Sequence, residues 1–170
     1  MSLHVKVYGA GSIGNHLAHA SRSLNWNVDV VDIDEDALVR MKENIRPSWD
    51  SVWANVAREI SKRSYDPRHQ VGAIVVTSDN TQVLSVGYNG NYAGGPNEVE
   101  SEIPGQSGFI HAEINCLLKM DYNNPKKKIM YLTLSPCRQC AKAIVNAGIS
   151  ELVYLEEYRD ISSIKILEEA

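Results

Sequence analysis

The sequence predicts an α/β protein in two parts, and three observations carry that reading. A glycine-rich strand-to-helix turn, Gly9-Ala10-Gly11-Ser12-Ile13-Gly14, follows the apolar stretch Val5 to Tyr8 near the start of the chain. Beyond it, a helical pattern and a hairpin give way to alternating helices and strands. Between the two parts, Arg46-Pro47-Ser48-Trp49-Asp50 marks a boundary. Proline disfavours helix in the residue before it, and Ser48 is a good N-cap for a new one. The boundary separates residues 1–45 from residues 46–170.

In the first part, Val5 to Tyr8 reads as a buried strand, and Ile13, Leu17, Ala18, Ala20 and Leu24 recur at helical spacing. A second strand is predicted over Val28 to Ile33, ending at Asp32 and Asp34, and a second helix over Asp36 to Ile45. In the second part, Trp49, Val52, Trp53, Val56, Ala57 and Ile60 form one apolar helical face. Val71 to Val76 and Val83 to Tyr88 flank the turn Ser78-Asp79-Asn80 and predict a hairpin. A long loop from Asn89 to Gly108, rich in Gly, Pro and Glu, follows; loops of that length inside a compact domain usually have work to do. After it come a helix from about His111 to Met120, a strand over Ile129 to Leu134, a helix from about Cys137 to Ala147, a strand over Leu152 to Leu155 and a short helix near Ser163.

Composition narrows the function classes. Hydrophobic residues make up 44% of the 170 residues and charged residues 22%, as in ordinary globular proteins, and no apolar run reaches the length of a membrane span. The start, MSLHVKV, lacks the apolar core of a secretory signal, so a cytoplasmic protein without membrane association is expected. A net charge of -4 with no basic face argues against a nucleic-acid partner. The three cysteines, Cys116, Cys137 and Cys140, are an odd number with one C-x-x-C pair, which favours metal or redox chemistry over a disulfide framework.

The chemistry-bearing residues are His111-Ala112-Glu113 and, after a strand, Pro136-Cys137-Arg138-Gln139-Cys140, which fit the H-x-E…P-C-x-x-C pattern of zinc deaminases. One imidazole nitrogen and two thiolates, from His111, Cys137 and Cys140, fill three positions of a tetrahedral Zn2+ and leave the fourth for water. Glu113 would move protons rather than bind metal. Read alone, the C-x-x-C pair also fits a thioredoxin-like dithiol, but that leaves His111 and Glu113 without a role. The remaining histidines, His4, His16, His19 and His69, show no ligand spacing to this group, and Cys116 among Leu117 and Leu118 reads as an inert buried thiol.

Residues 46–170 resemble the deoxycytidylate (dCMP) deaminases of the cytidine deaminase superfamily, through RPSWD at 46 to 50, QVGAIVV at 70 to 76, GYNG at 87 to 90, HAE at 111 to 113, SPCRQCAKAI at 135 to 144, NAGI at 146 to 149 and YRD at 158 to 160. HAE with PCxxC specifies the superfamily, while RPSWD, GYNG and YRD point to the dCMP branch. The resemblance implies a three-layer α/β/α fold, zinc-dependent conversion of dCMP to dUMP with release of ammonia, and homo-oligomers, often hexamers. It also implies that Asn89 contacts the nucleotide sugar and that Ala112 and Ser135 line the base pocket. For the 5′-phosphate, Arg68 and Arg138 are the candidates best placed by sequence. Relatives often carry ligands for a second, structural zinc before HAE; Asn91 to Phe109 contains neither Cys nor His, so one zinc per chain is expected. Relatives also end on a fifth strand, and the sheet here is expected to be one strand short. Rival readings are a superfamily member acting on cytosine, cytidine or guanine, and a nucleotide-binding sensor.

Residues 4–45 resemble the opening βαβα of a Rossmann-type NAD-binding domain: Gly9, Gly11 and Gly14 fall where that fingerprint places them, with Asp32 about where its ribose-binding acid stands. The segment is only a partial Rossmann-like unit. A dinucleotide binds across two halves, and the second is missing, so NAD binding is not expected and the glycines are assigned to close strand–helix packing.

Overall fold

In a computed structural model, the described residues are 4–8, 27–31, 47–103 and 106–170. They divide into two compact units, Met1–Pro47 and Ser48–Ala170. In the first, β1 (His4–Tyr8) pairs in parallel with β2 (Asn27–Val31), His4 opposite Asn27 and Tyr8 opposite Val31. Parallel neighbours need a crossover connection, which is the topology expected of that segment. The glycine turn, the helices expected around Ile13–Leu24 and Asp36–Ile45, and Asp32 lie outside the described residues.

The second unit begins with α1 (Trp49–Ser61). Ser48 caps it as the sequence predicts, its hydroxyl accepting from the Ser51 N–H at 3.1 Å. There follow β3 (Gly72–Thr77), β4 (Val83–Tyr88), α2 (Ala112–Leu117), β5 (Lys128–Leu134), α3 (Arg138–Asn146), β6 (Glu151–Glu156) and α4 (Ser162–Glu168). The strands form one mixed sheet in the order β4-β3-β5-β6, antiparallel except for the β5–β6 pair.

Alternation along the two central strands builds the three layers. Ile74 and Val76 of β3 with Ile129 and Tyr131 of β5 face α1, where Ala57, Val56 and Ile60 pack on them. Ala73 and Val75 with Met130 and Leu132 face the other way, onto Ala112, Cys116 and Leu117 of α2 and Ile144 of α3. All six residues of β3 are buried, which explains why GAIVVT reads as a continuous apolar run without alternation. The α4 helix packs on α3. The predicted α/β/α arrangement of a cytidine deaminase-like domain is therefore the observed one.

Two polar contacts tie α1 to the sheet. Asp50, the last residue of RPSWD, accepts a 2.6 Å hydrogen bond from the hydroxyl of Tyr131, a residue 1% exposed. Leaving the buried Tyr131 hydroxyl unpaired would cost about 1–3 kcal/mol. Trp53, stacked on Trp49 with ring centroids 5.4 Å apart, donates its indole N–H to Asn80 Oδ1 at 2.8 Å. Asn80 holds φ at +60° in the hairpin turn, a conformation asparagine tolerates better than most residues.

Candidate metal centre

Sheet topology brings the chemistry to one edge. The carboxyl ends of β4, β5 and β6 and the amino end of the antiparallel β3 all open on the same side, where open α/β sheets place ligands. At the end of β4, Gly87 permits the approach of α2: a side chain there would meet the backbone of Ala112 and Cys116 well inside van der Waals contact. Gly90 and Ile110 exchange backbone hydrogen bonds of 3.1 and 2.9 Å, and Asn115 donates to the carbonyls of Tyr88 and Ile110. The GYNG turn is thus the support on which the HAE helix is mounted.

His111 and Cys137 are the N-cap residues of α2 and α3, both with extended backbone and neither using its side chain as a cap. The imidazole and the thiol are left to face each other. His111 Nδ1 lies 3.6 Å from Cys137 Sγ and 3.4 Å from Cys140 Sγ, and the three potential ligand atoms fall within 4.8 Å of one another. Bonds of ~2.0–2.1 Å to nitrogen and ~2.3 Å to sulfur at tetrahedral angles would put those atoms ~3.6 Å apart, close to the two distances from His111, so the donor set fits zinc. Among the described residues this is the one such group of three.

Proton sharing within the trio agrees. The Cys137 thiol is pushed down to about 3 by its hydrogen bond with Cys140 and then by that with His111. Cys140 is driven far upward as the donor to Cys137 and by burial. His111 is held above its usual range, mainly by the hydrogen bond to Cys137. A divalent metal bound by these three groups would take the place of the protons they share.

Glu113, in the first turn of α2, is 4% exposed, and burial pushes its carboxyl above the ordinary range. It lines a cavity of about 520 Å³ together with His111, Cys137, Ala112, Asn89 and Ser135. Asn89 is buried with its amide engaged: Oδ1 accepts from the Val71 N–H at 2.7 Å, and Nδ2 donates to the His69 carbonyl at 2.8 Å. Ser135, also buried, accepts from the Tyr158 N–H at 2.8 Å and so holds the segment after β6 against the cavity.

The two arginines named from sequence part company. Arg68 lines the cavity, but its guanidinium is bound to protein: Nη1 donates to the carbonyls of Glu102 and Ile103, Nη2 to that of Ser101, and Nε lies 3.8 Å from Asp66. Arg138 lies outside the cavity, in an adjoining concavity with Lys142 and Arg159 that shares Cys137, Tyr158 and Arg159 with the first. Sequence reasoning passed over Phe109, His69, Asp66, Tyr158 and Arg159 as lining residues. The signal for the last two was present, since YRD follows a strand whose carboxyl end opens on the site. Cys116 is buried as expected, its thiol pushed up to about 11 by burial, 3.0 Å from Ser85 Oγ.

Residues 47–156 match the family described as the cytidine and deoxycytidylate deaminase zinc-binding region. The chain is 34% identical to human deoxycytidylate deaminase over 121 residues, covering 66% of this chain and 67% of the relative. It is 33% identical to the deoxycytidylate deaminase of Mycobacterium phage D29 over 127 residues, 66% of this chain and 98% of the relative. A solved dCMP deaminase from the cyanophage S-TIM5, in complex with dCMP and dUMP, superposes with a TM-score of 0.61 at 31% identity, over 74% of this chain and 93% of that one. Residues 4–87 also match the NAD binding domain of 3-hydroxyacyl-CoA dehydrogenase. From Gly72 onward that stretch forms an antiparallel hairpin inside the four-stranded sheet, so its second half is part of the zinc-bearing unit.

Proposed function

This chain belongs to the cytidine and deoxycytidylate deaminase zinc-binding family, and on that premise we propose that it hydrolyses the C4 amino group of dCMP, consuming water and yielding dUMP and ammonia. The observation that carries this reading is a buried Glu113 beside a His–Cys–Cys group already spaced for zinc on the wall of one cavity.

His111 Nδ1, Cys137 Sγ and Cys140 Sγ would hold the ion. Zinc supplies Lewis acidity there, which makes water a competent nucleophile near neutral pH. Glu113 carries the protons: it takes one from the attacking water and places it on N3 of the cytosine ring, then takes the second from the hydroxyl now on C4 and delivers it to the departing amine. Its raised affinity for protons suits a group that must hold one between steps. Ala112 and Ser135 shape the base pocket, and Asn89, with its amide pinned, presents a fixed wall to the sugar. This chemistry is assigned to residues 46–170, and none of it to residues 1–45.

Metal content, with ammonia release measured across dCMP, CMP, dCTP, deoxycytidine, cytosine and guanine, tests the assignment. About one zinc per chain and preference for dCMP are expected; faster turnover of free cytosine or guanine would end the dCMP reading. For the phosphate, Arg159 on the cavity rim and Arg138 beside it are the cations in position. Arg159→Ala or Arg138→Ala should raise KM for dCMP by about tenfold while changing KM for deoxycytidine little. Equal effects on both substrates would remove that arginine from the role.

A cytoplasmic homo-oligomer remains part of the proposal. No helix among the described residues is long and apolar enough to cross a membrane. The edge strand β4 leaves Val83 50% and Val86 41% exposed, apolar surface that a second copy would cover. A monomeric mass by light scattering would count against the oligomer.

A further inference from the structure

We propose that Arg68 is a positioning residue that fixes the cavity wall at Ser107 and Phe109 by gripping the backbone of residues 101–103, its cation being spent there and not on the substrate phosphate. Three carbonyls converge on the guanidinium: Ile103 O at 3.0 Å, Glu102 O at 3.2 Å and Ser101 O at 3.4 Å. Nε faces the carboxylate of Asp66 at 3.8 Å. Three of the five N–H groups of the fork are thus given to backbone carbonyls, and the charge as a whole is paired with Asp66.

Each end of the grip is anchored. Asp66 is 7% exposed; its Oδ1 also accepts from the N–H of Arg68 at 2.8 Å and of His69 at 3.3 Å, and its Oδ2 receives the amide of Asn89 at 3.4 Å. The arginine therefore stands on the same carboxylate that receives Asn89, another residue lining the cavity. On the loop side, the Glu100 N–H donates to the Ser107 carbonyl at 2.9 Å, closing the segment that Arg68 holds, and the Ser107 hydroxyl accepts from the Phe109 N–H at 3.4 Å. Gly108 between them has φ +76°, and the side chain of Glu100 fills the place a Cβ would take. The chain of contacts runs from Asp66 through Arg68 and residues 100–103 to Ser107 and Phe109, both of which line the cavity.

A phosphate contact survives replacement of arginine by lysine far better than a three-carbonyl grip does. An ammonium is a point charge, whereas the grip needs a planar fork. The consequence for substrate rests on the deaminase reading; the grip itself does not. We would compare Arg68→Lys, Arg68→Ala and Gly108→Ala with the wild type in two measurements. One is the rate at which glutamyl endopeptidase cuts at the exposed Glu98, Glu100 and Glu102; the other is KM and kcat for dCMP and for deoxycytidine. The expected result is faster cleavage in Arg68→Lys and Gly108→Ala. It comes with a KM raised by the same factor, about tenfold, for both substrates and a smaller change in kcat. Should Arg68→Ala fail to fold, the other two variants decide. A KM raised for dCMP alone, wild-type behaviour of Arg68→Lys, or cavity affinities untouched by Gly108→Ala would each overturn the assignment. Wild-type protein that leaves dCMP unchanged would instead end the deaminase reading, and the cleavage rates would still decide the grip.

Discussion

Glu113→Gln should lose dCMP turnover by about 10³–10⁴-fold while retaining as much zinc as the wild type. The substitution keeps the shape of the side chain and removes only its ability to carry a proton. Three protein atoms already satisfy the metal, so nothing in its binding depends on the carboxylate. Metal analysis beside single-turnover kinetics checks the pair of outcomes, and a variant that also lost zinc would make Glu113 a ligand. A second readout follows from burial. With zinc stripped, the carboxyl of Glu113 holds its proton above the ordinary range in the folded chain. Such a group stabilises the fold while protonated, and that contribution is lost as pH rises through its folded value. Metal-free Glu113→Gln should therefore melt at or above the wild-type temperature, by a margin that widens on the alkaline side of the usual carboxylate range.

Cys140→Ser should lose zinc and turnover together, and melt lower than the zinc-loaded wild type. Cys140 is 2% exposed at the start of α3, and with Cys137 and His111 it links the N-termini of two helices. A ligand present at about a thousand times its dissociation constant stabilises the folded state by about 4 kcal/mol, which is the order of the expected loss. Cys140 holds its proton tightly as the donor to Cys137 and by burial, so zinc must displace it, and affinity should fall on acidification. Titration with a competing chelator across pH measures both. A Cys140→Ser protein that kept stoichiometric zinc would remove Cys140 from the ligand set.

Local signals were the legible ones. The apolar face of α1, the cap at Ser48 and the continuous run of β3 were read directly, because period and capping act over a few residues. HAE and PCxxC were legible for the same reason: each puts its donors at one helix start, and the intervening strand β5 implies how they meet. What escaped depends on contacts between distant segments. Arg68 reaches residues 34 and 35 positions away, and its partners are backbone carbonyls, which carry no sequence signature. Helix α2 was expected to run to Met120 and instead ends at Leu117, with Leu118 left 73% exposed in the turn that follows. An apolar residue there continued the helical pattern without belonging to the buried face.

The stacked pair Trp49 and Trp53 has an optical consequence. The chain has three tryptophans; Trp26 belongs to the first unit, and both others sit on α1, on the face of the sheet opposite α2 and α3. Tryptophan emission from the second unit therefore reports whether α1 is docked, with Trp53 hydrogen-bonded to Asn80, and is blind to loosening at the zinc-bearing helices. A fluorescence melt and a zinc-release curve follow separate layers of one sheet, and the gap between their midpoints measures how cooperatively the two faces come apart.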